Sequence, residues 1–240
     1  KLPGYRAGEL TILGGRPGFG KSTIAASLAR AMAMQRTSKQ TGDITQTGVL
    51  FFSLEMPEIQ MGARVLAEMA YSPEVRCTCR GSIDNHRHDC PQDAIPYNLI
   101  MRGDISNARA ERLVLAARKL TDLPLELDYS INPTIGEIAA KVRTCARKML
   151  SKYKCKLGAV FIDYTKFVRV ADRYRGQRHL EIGEITAGLK MLSRETDLPI
   201  VLLHQLNRQS EERADKRPEL SDLRDSGEIE QDADNVILLF

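Results

Sequence analysis

At 240 residues, 42% of them hydrophobic and 28% charged, the chain is long enough to bury one sizeable core and too ordinary in composition to be disordered or fibrous. A formal net charge of +4 and a pI near 8.8 suit nucleic acid and a neutral enzyme equally, so charge excludes neither. Its apolar runs are all far shorter than the ~20 residues that cross a bilayer, and no basic, then apolar, leader opens it, so a soluble cytoplasmic protein is expected.

Taken in chain order, short apolar runs bounded by turn residues predict buried strands at 10–13, 49–54, 125–127, 159–162, 199–203 and 235–240. Between them, helical patterns fall at 21–34, 57–69, 108–119, 134–152 and 180–196. Strands alternating with helices predict an α/β fold with a mostly parallel sheet covered on both faces. The pattern is clearest at 134–152, where Thr134 and Glu137 form a capping box and Ile135, Ile138, Val142, Cys145 and Met149 recur at helical spacing. Cys145 is then a core thiol. Two segments, 37–47 and 73–96, break the pattern and are expected to be surface insertions within a single domain spanning 1–240.

The run Gly15-Arg16-Pro17-Gly18-Phe19-Gly20-Lys21-Ser22 fits G-x-x-x-x-G-K-[ST], and it stands between a predicted strand and a predicted helix, where such a loop can work. Its glycines let backbone N–H groups turn toward a phosphate, the helix N-terminus adds partial positive charge, and Lys21 adds an ammonium. Ser22 would coordinate magnesium. An ordinary glycine-rich turn explains neither the lysine nor the hydroxyl that follows it. Asp163, at the end of the run 159–162, is the expected second magnesium anchor; an aspartate merely ending a strand is the bland alternative, which the loop makes weaker. Hydrolysis also needs a carboxylate to orient and deprotonate water, and Glu55, just past 49–54, is the best candidate. Gln205, past 199–203, could sense a γ-phosphate; alone, it could equally be a solvated loop residue.

Here the residues resemble a known family. Gly8-Glu9-Leu10 through the P-loop, Phe52-Ser53-Leu54-Glu55-Met56, Ile162-Asp163-Tyr164, His204-Gln205-Leu206-Asn207-Arg208 and the block from Ser221 to Asp234 look like successive motifs of the DnaB-type replicative helicase C-terminal domain. The resemblance implies a RecA-like P-loop NTPase, a homohexamer with ATP and magnesium between subunits, and single-stranded DNA in the central channel. Primase and a helicase loader are implied partners. It implies roles too: Lys21, Ser22 and Thr23 at phosphate and magnesium, Glu55 as base, Asp163 at magnesium, Gln205 as sensor, and Arg208, Arg224, Asp225 and Gly227 on loops at the DNA backbone. A recombinase or clock-type ATPase of RecA or KaiC kind shares the phosphate loop, but the block 224–234 speaks against it. Glu55 speaks against a non-enzymatic nucleotide-binding module. The family's Leu-Gln after Asp-Tyr is here Thr165-Lys166. The family's arginine-finger strand would lie beyond Phe240, and its primase-interacting domain before Lys1, so a motor domain alone is expected.

The cysteines carry a separate question. Five of them, Cys77, Cys79, Cys90, Cys145 and Cys155, in a chain without a secretory signal favour free thiols or a metal over disulfides. Cys77, Cys79, His86, His88 and Cys90 put five zinc-type ligands into the segment 77–90, which suits a structural tetrahedral zinc. Against it, Cys-x-Cys is tighter than the usual spacing, so a polar loop stands as the other reading. If zinc is bound, elemental analysis should find about one metal per chain, abolished by Cys77→Ala. Metal-free protein that is folded and stable would return the segment to a polar loop.

Overall fold

The computed structural model describes residues 5–34, 36–37, 45–71, 94–170, 176–207, 215, 217–223 and 226–240. Its contacts divide the chain into two compact units: Lys1–Glu55 with Pro124–Phe240, and Met56–Leu123.

The first unit is built on parallel strands whose runs of Leu, Ile, Val and Phe can be apolar on both faces because both faces are covered. Strands β1 (Leu10–Gly15), β3 (Thr45–Ser53), β4 (Leu125–Asp128), β5 (Lys156–Asp163), β6 (Ile200–Gln205) and β7 (Asn235–Leu238) pair in the order β4-β3-β5-β6-β1-β7, all parallel. A two-residue β2 (Arg36–Thr37) pairs antiparallel with the start of β3, overlapping the segment 37–47 that the sequence suggested was a surface insertion. Every residue of β1 is buried. Phe51 stacks on Phe161 at 6.0 Å between ring centroids, and Tyr5 meets Phe161 edge-on at 6.1 Å. Burying a side chain of this size contributes about 1.5–3 kcal/mol.

The β3–β5 register slips between Gly48 and Val49, leaving Gly158 as the extra residue on β5. A Cβ on Gly158 would lie 2.3 Å from Thr47 Cγ2, so the two strands close here only because glycine occupies the bulge.

Helices α1 (Lys21–Met34), α5 (Ile135–Lys148) and α6 (Arg178–Thr196) agree closely with the periodicity. α1 buries Ala25, Ala26, Ala29 and Ala33, small side chains that let it lie close over the sheet. The Thr134–Glu137 capping box is formed, with Glu137 Oε2 accepting from Thr134 N at 2.7 Å and Thr134 Oγ1 from Glu137 N at 3.2 Å. Ile138, Val142, Cys145 and Met149 enter the core, and burial pushes the Cys145 thiol up to about 12, as expected of an inert core cysteine. Beyond Lys148 the helix does not simply continue to Lys152: it widens into a π turn, Met149–Tyr153, which Lys154 ends in the left-handed conformation at φ 56°.

Two short helices were not foreseen. α7 (Ser226–Asp232) lies where the sequence suggested a loop; it is mostly polar, with only Ile229 carrying an apolar anchor into the core. The other belongs to the second unit, where α2 (Glu58–Met69), α3 (Tyr97–Arg102) and α4 (Asn107–Thr121) enclose a small core of Ala70, Ile95, Leu113 and Ala116. α3 is one and a half turns between Pro96 and a left-handed Gly103, too short for periodicity to reveal.

One ion pair ties the sheet to α6. Asp234 Oδ2 accepts from Leu10 N at 2.7 Å and from the Lys190 ammonium, which also donates to Gly8 O at 3.2 Å. Partial burial would raise the Asp234 carboxyl, but the Lys190 and Leu10 hydrogen bonds outweigh it and hold the group below its ordinary 3.8. A lowered folded-state value means stability present above the ordinary value and lost as pH falls through the folded one. Asp234→Asn should therefore cost about 1 kcal/mol at pH 7, discounted for the site's exposure. In urea titrations the gap to the parent should close below pH 3.8; a gap unchanged at low pH would show that the charge is not its source.

Candidate nucleotide-binding site

All six parallel strands end on one edge, where open α/β sheets collect ligands. β1 delivers Gly15 to that edge, the chain turns through 16–20, and α1 starts at Lys21. The turn needs left-handed backbone at Gly18 (φ 79°) and Gly20 (φ 78°), and a Cβ at either would meet nothing within 4 Å, so the loop's backbone faces open space. The Arg16 guanidinium lies 5.7 Å from the Phe19 ring centroid, and Phe19 N donates to Arg16 O at 3.3 Å, bracing the loop from within.

Lys21 turns back into the cradle, its Nζ donating to Arg16 O at 2.9 Å. Burial lowers its ammonium from the ordinary lysine range, opposed by the negative charges of Asp163 and Glu55. Both carboxylates therefore act on the same cation. Ser22 is half-buried at the helix start and Thr23 exposed.

Asp163 is fully buried at the end of β5, beside Ser53 of β3, and its carbonyl accepts from Leu54 N at 2.8 Å. That bond carries β3 one step past its end and leaves Glu55 exposed at the rim. A cis peptide joins Asp163 to Tyr164. Gln205 ends β6 directly beside Gly15, and Leu206 N donates to Gly15 O at 3.2 Å. The same edge thus holds Gly15, Gly18, Gly20, Lys21, Ser22, Asp163, Glu55 and Gln205. A hydroxyl, a buried carboxylate and an open N–H cradle are hard-oxygen and anion-directed groups, a set that fits a magnesium-bound polyphosphate. Two residues here were named in the sequence motifs but given no role at the site: Thr165 and His204, both buried, with His204 Nδ1 3.2 Å from Thr165 Oγ1.

Of the expected DNA residues, Arg208, Arg224 and Asp225 lie outside the described residues. Gly227 is exposed in the first turn of α7, without a positive φ, so it is helical and not in the loop that the sequence suggested. The two loops nevertheless share a root: Leu206 bridges Leu223, and Asn207 N donates to Asp222 O at 2.8 Å. Cys77, Cys79, His86, His88 and Cys90 also lie outside the described residues, and among the described residues no three His, Cys, Asp or Glu gather as a metal cluster.

Parallel sheet and phosphate cradle together define a RecA-like P-loop protein. The chain belongs to the DnaB-like helicase C terminal domain family, whose model matches residues 1–240. It is 34% identical over 236 residues to the replicative DNA helicase DnaB of Leifsonia xyli, covering 98% of this chain and 43% of that protein. To the replicative DNA helicase DnaB of Rickettsia bellii it is 36% identical over 241 residues, covering 100% of this chain and 42% of that protein. The chain thus spans less than half the length of these relatives. Among solved structures, a DnaB-like replicative helicase described with its interactions with primase superposes at TM-score 0.76 with 27% identity, covering 98% of this chain and 49% of that one. A structure described as an ATPase domain gives TM-score 0.77 with 27% identity, covering 99% of this chain and 71% of that one.

A Cβ at Gly15 would lie 2.9 Å from Lys21 Cγ and 3.3 Å from Leu239 Cβ, so Gly15→Ala must displace the lysine stem from the cradle. Losing one charge-assisted contact predicts a fall in nucleoside triphosphate affinity on the order of 10- to 100-fold. Titration with a fluorescent nucleotide, on protein checked for unchanged melting, tests this; unchanged affinity would show that Lys21 reaches phosphate by another path.

Proposed function

We propose that the chain is the motor domain of a replicative DNA helicase, hydrolysing ATP to translocate on single-stranded DNA. The observation that carries this reading is the meeting of Lys21, Asp163, Glu55 and Gln205 at one end of a parallel sheet, in a chain matched along its whole length by the helicase family.

In this reading the open N–H groups of 16–20 and the α1 N-terminus receive the phosphates, and Lys21 exchanges Arg16 O for phosphate oxygens. Ser22 and Asp163 would hold magnesium, which when bound offsets phosphate charge. Glu55, exposed at the rim, takes the proton from the attacking water as the bond from the γ-phosphorus to the leaving oxygen breaks. The amide of Gln205, whose backbone is paired beside Gly15, contacts the γ-phosphate and reports its loss to the segment that begins at Leu206. Arg208, Arg224 and the N–H groups around Gly227 contact DNA phosphates without reading bases. Both compact units work as one motor domain, assembled as a hexamer in the cytoplasm, with primase and a loader as partners of the intact protein.

In the intact protein, single-stranded DNA should stimulate ATP hydrolysis. Glu55→Gln should keep nucleotide affinity while lowering turnover by a factor on the order of 100 to 10,000. Parental turnover in Glu55→Gln would remove Glu55 from the role of base, and hydrolysis indifferent to DNA in the parent would remove the motor reading itself.

A further inference from the structure

The last β5–β6 pair is Ile162 with Leu202, and just past it Thr165 enters the sheet's end from a 3-10 turn, Thr165–Phe167. Its Oγ1 donates to Leu203 O at 2.9 Å and lies 3.2 Å from His204 Nδ1. Thr165 is 1% exposed, His204 4% and Leu203 0%, so water does not compete for these contacts.

The hydroxyl has one hydrogen, and Leu203 O receives it. At the second contact Thr165 Oγ1 must therefore accept, and His204 Nδ1 must carry the proton. One side chain, two residues beyond Asp163, thus holds the two residues immediately before Gln205. On its other side β6 is paired with β1, His204 beside Gly14 and Gln205 beside Gly15. The end of β6 is fixed between the phosphate loop and the Asp163 turn, and the second attachment is a pair of side-chain hydrogen bonds, not backbone pairing.

We propose that Thr165 is a positioning residue for Gln205: with His204 it fixes the end of β6 relative to Asp163, so that the Gln205 amide and the magnesium anchor act on one phosphate group. This rests on the reading of the chain as an ATPase. Thr165 touches none of the reacting atoms, so its removal should slow turnover and spare nucleotide binding, which the phosphate loop governs.

The test is steady-state hydrolysis and nucleotide titration in the intact protein. Thr165→Val, which keeps the shape and loses the hydroxyl, should lower kcat about tenfold, equivalent to about 1.4 kcal/mol, with nucleotide affinity within about twofold. Thr165→Ser should restore the parental rate. His204→Leu should show the same split as Thr165→Val and serves in its place if that variant fails to fold; His204→Asn, whose amide can supply the Nδ1-type donor, should retain turnover. In a Gln205→Ala background Thr165→Val should cost nothing further, because the group it positions is gone. An undiminished kcat in Thr165→Val, or an equal loss with and without Gln205, would overturn the proposal. A parental protein with no ATPase activity would instead overturn the reading beneath it.

Discussion

Two adjacent glycines at the end of β1 set the spacing on which the whole site depends. A Cβ at Gly14 would lie 2.8 Å from Leu238, 3.2 Å from Leu223 and 3.3 Å from Leu206; one at Gly15 would strike the Lys21 stem. The absence of side chains lets three leucines close over the strand end from one side and the lysine fold back from the other. Leu206 and Leu223 also bridge one another just before the segments in which the sequence placed the DNA residues. Packing at Gly14 and cradling at Gly15 thus place the phosphate loop and the loop roots in contact through a close-packed interior, which yields little to strain.

Electrostatics then follow from topology. Six parallel strands end on one edge, so Glu55 and Asp163 come within electrostatic reach of Lys21, and Gln205 comes beside Gly15, without being near them in sequence. Burial of Lys21 works against its charge, and the two carboxylates oppose that effect. The balance leaves an ammonium near two carboxylates, and an accompanying cation would lessen their repulsion of a polyanion. The hydroxyl of Ser22 and the carboxylate of Asp163 are suited to hold that cation.

The strand alternation, the phosphate loop, the α5 capping box and the Asp163 strand end were legible in the sequence because each is a local pattern. Turn glycines, helical spacing and an apolar run ended by an acid need only neighbouring residues to exist. The core role of Cys145 was legible for the same reason. α3 and α7 were not, being too short for a period to show, and the π turn after Lys148 was not, since its residues continue a helical pattern.

What the sequence determined by itself is the set of chemical groups and the order in which they come; what the tertiary structure decided is which of them meet. Sheet order put Gln205 beside Gly15 and Ser53 beside Asp163, and a bulge at Gly158 let β3 and β5 reach that alignment. It also brought Thr165 to His204, two residues that nothing in their local sequence marks as partners. Parallel pairing joins strands that are far apart in the chain, so their register is set by packing across the whole sheet and not by any segment alone.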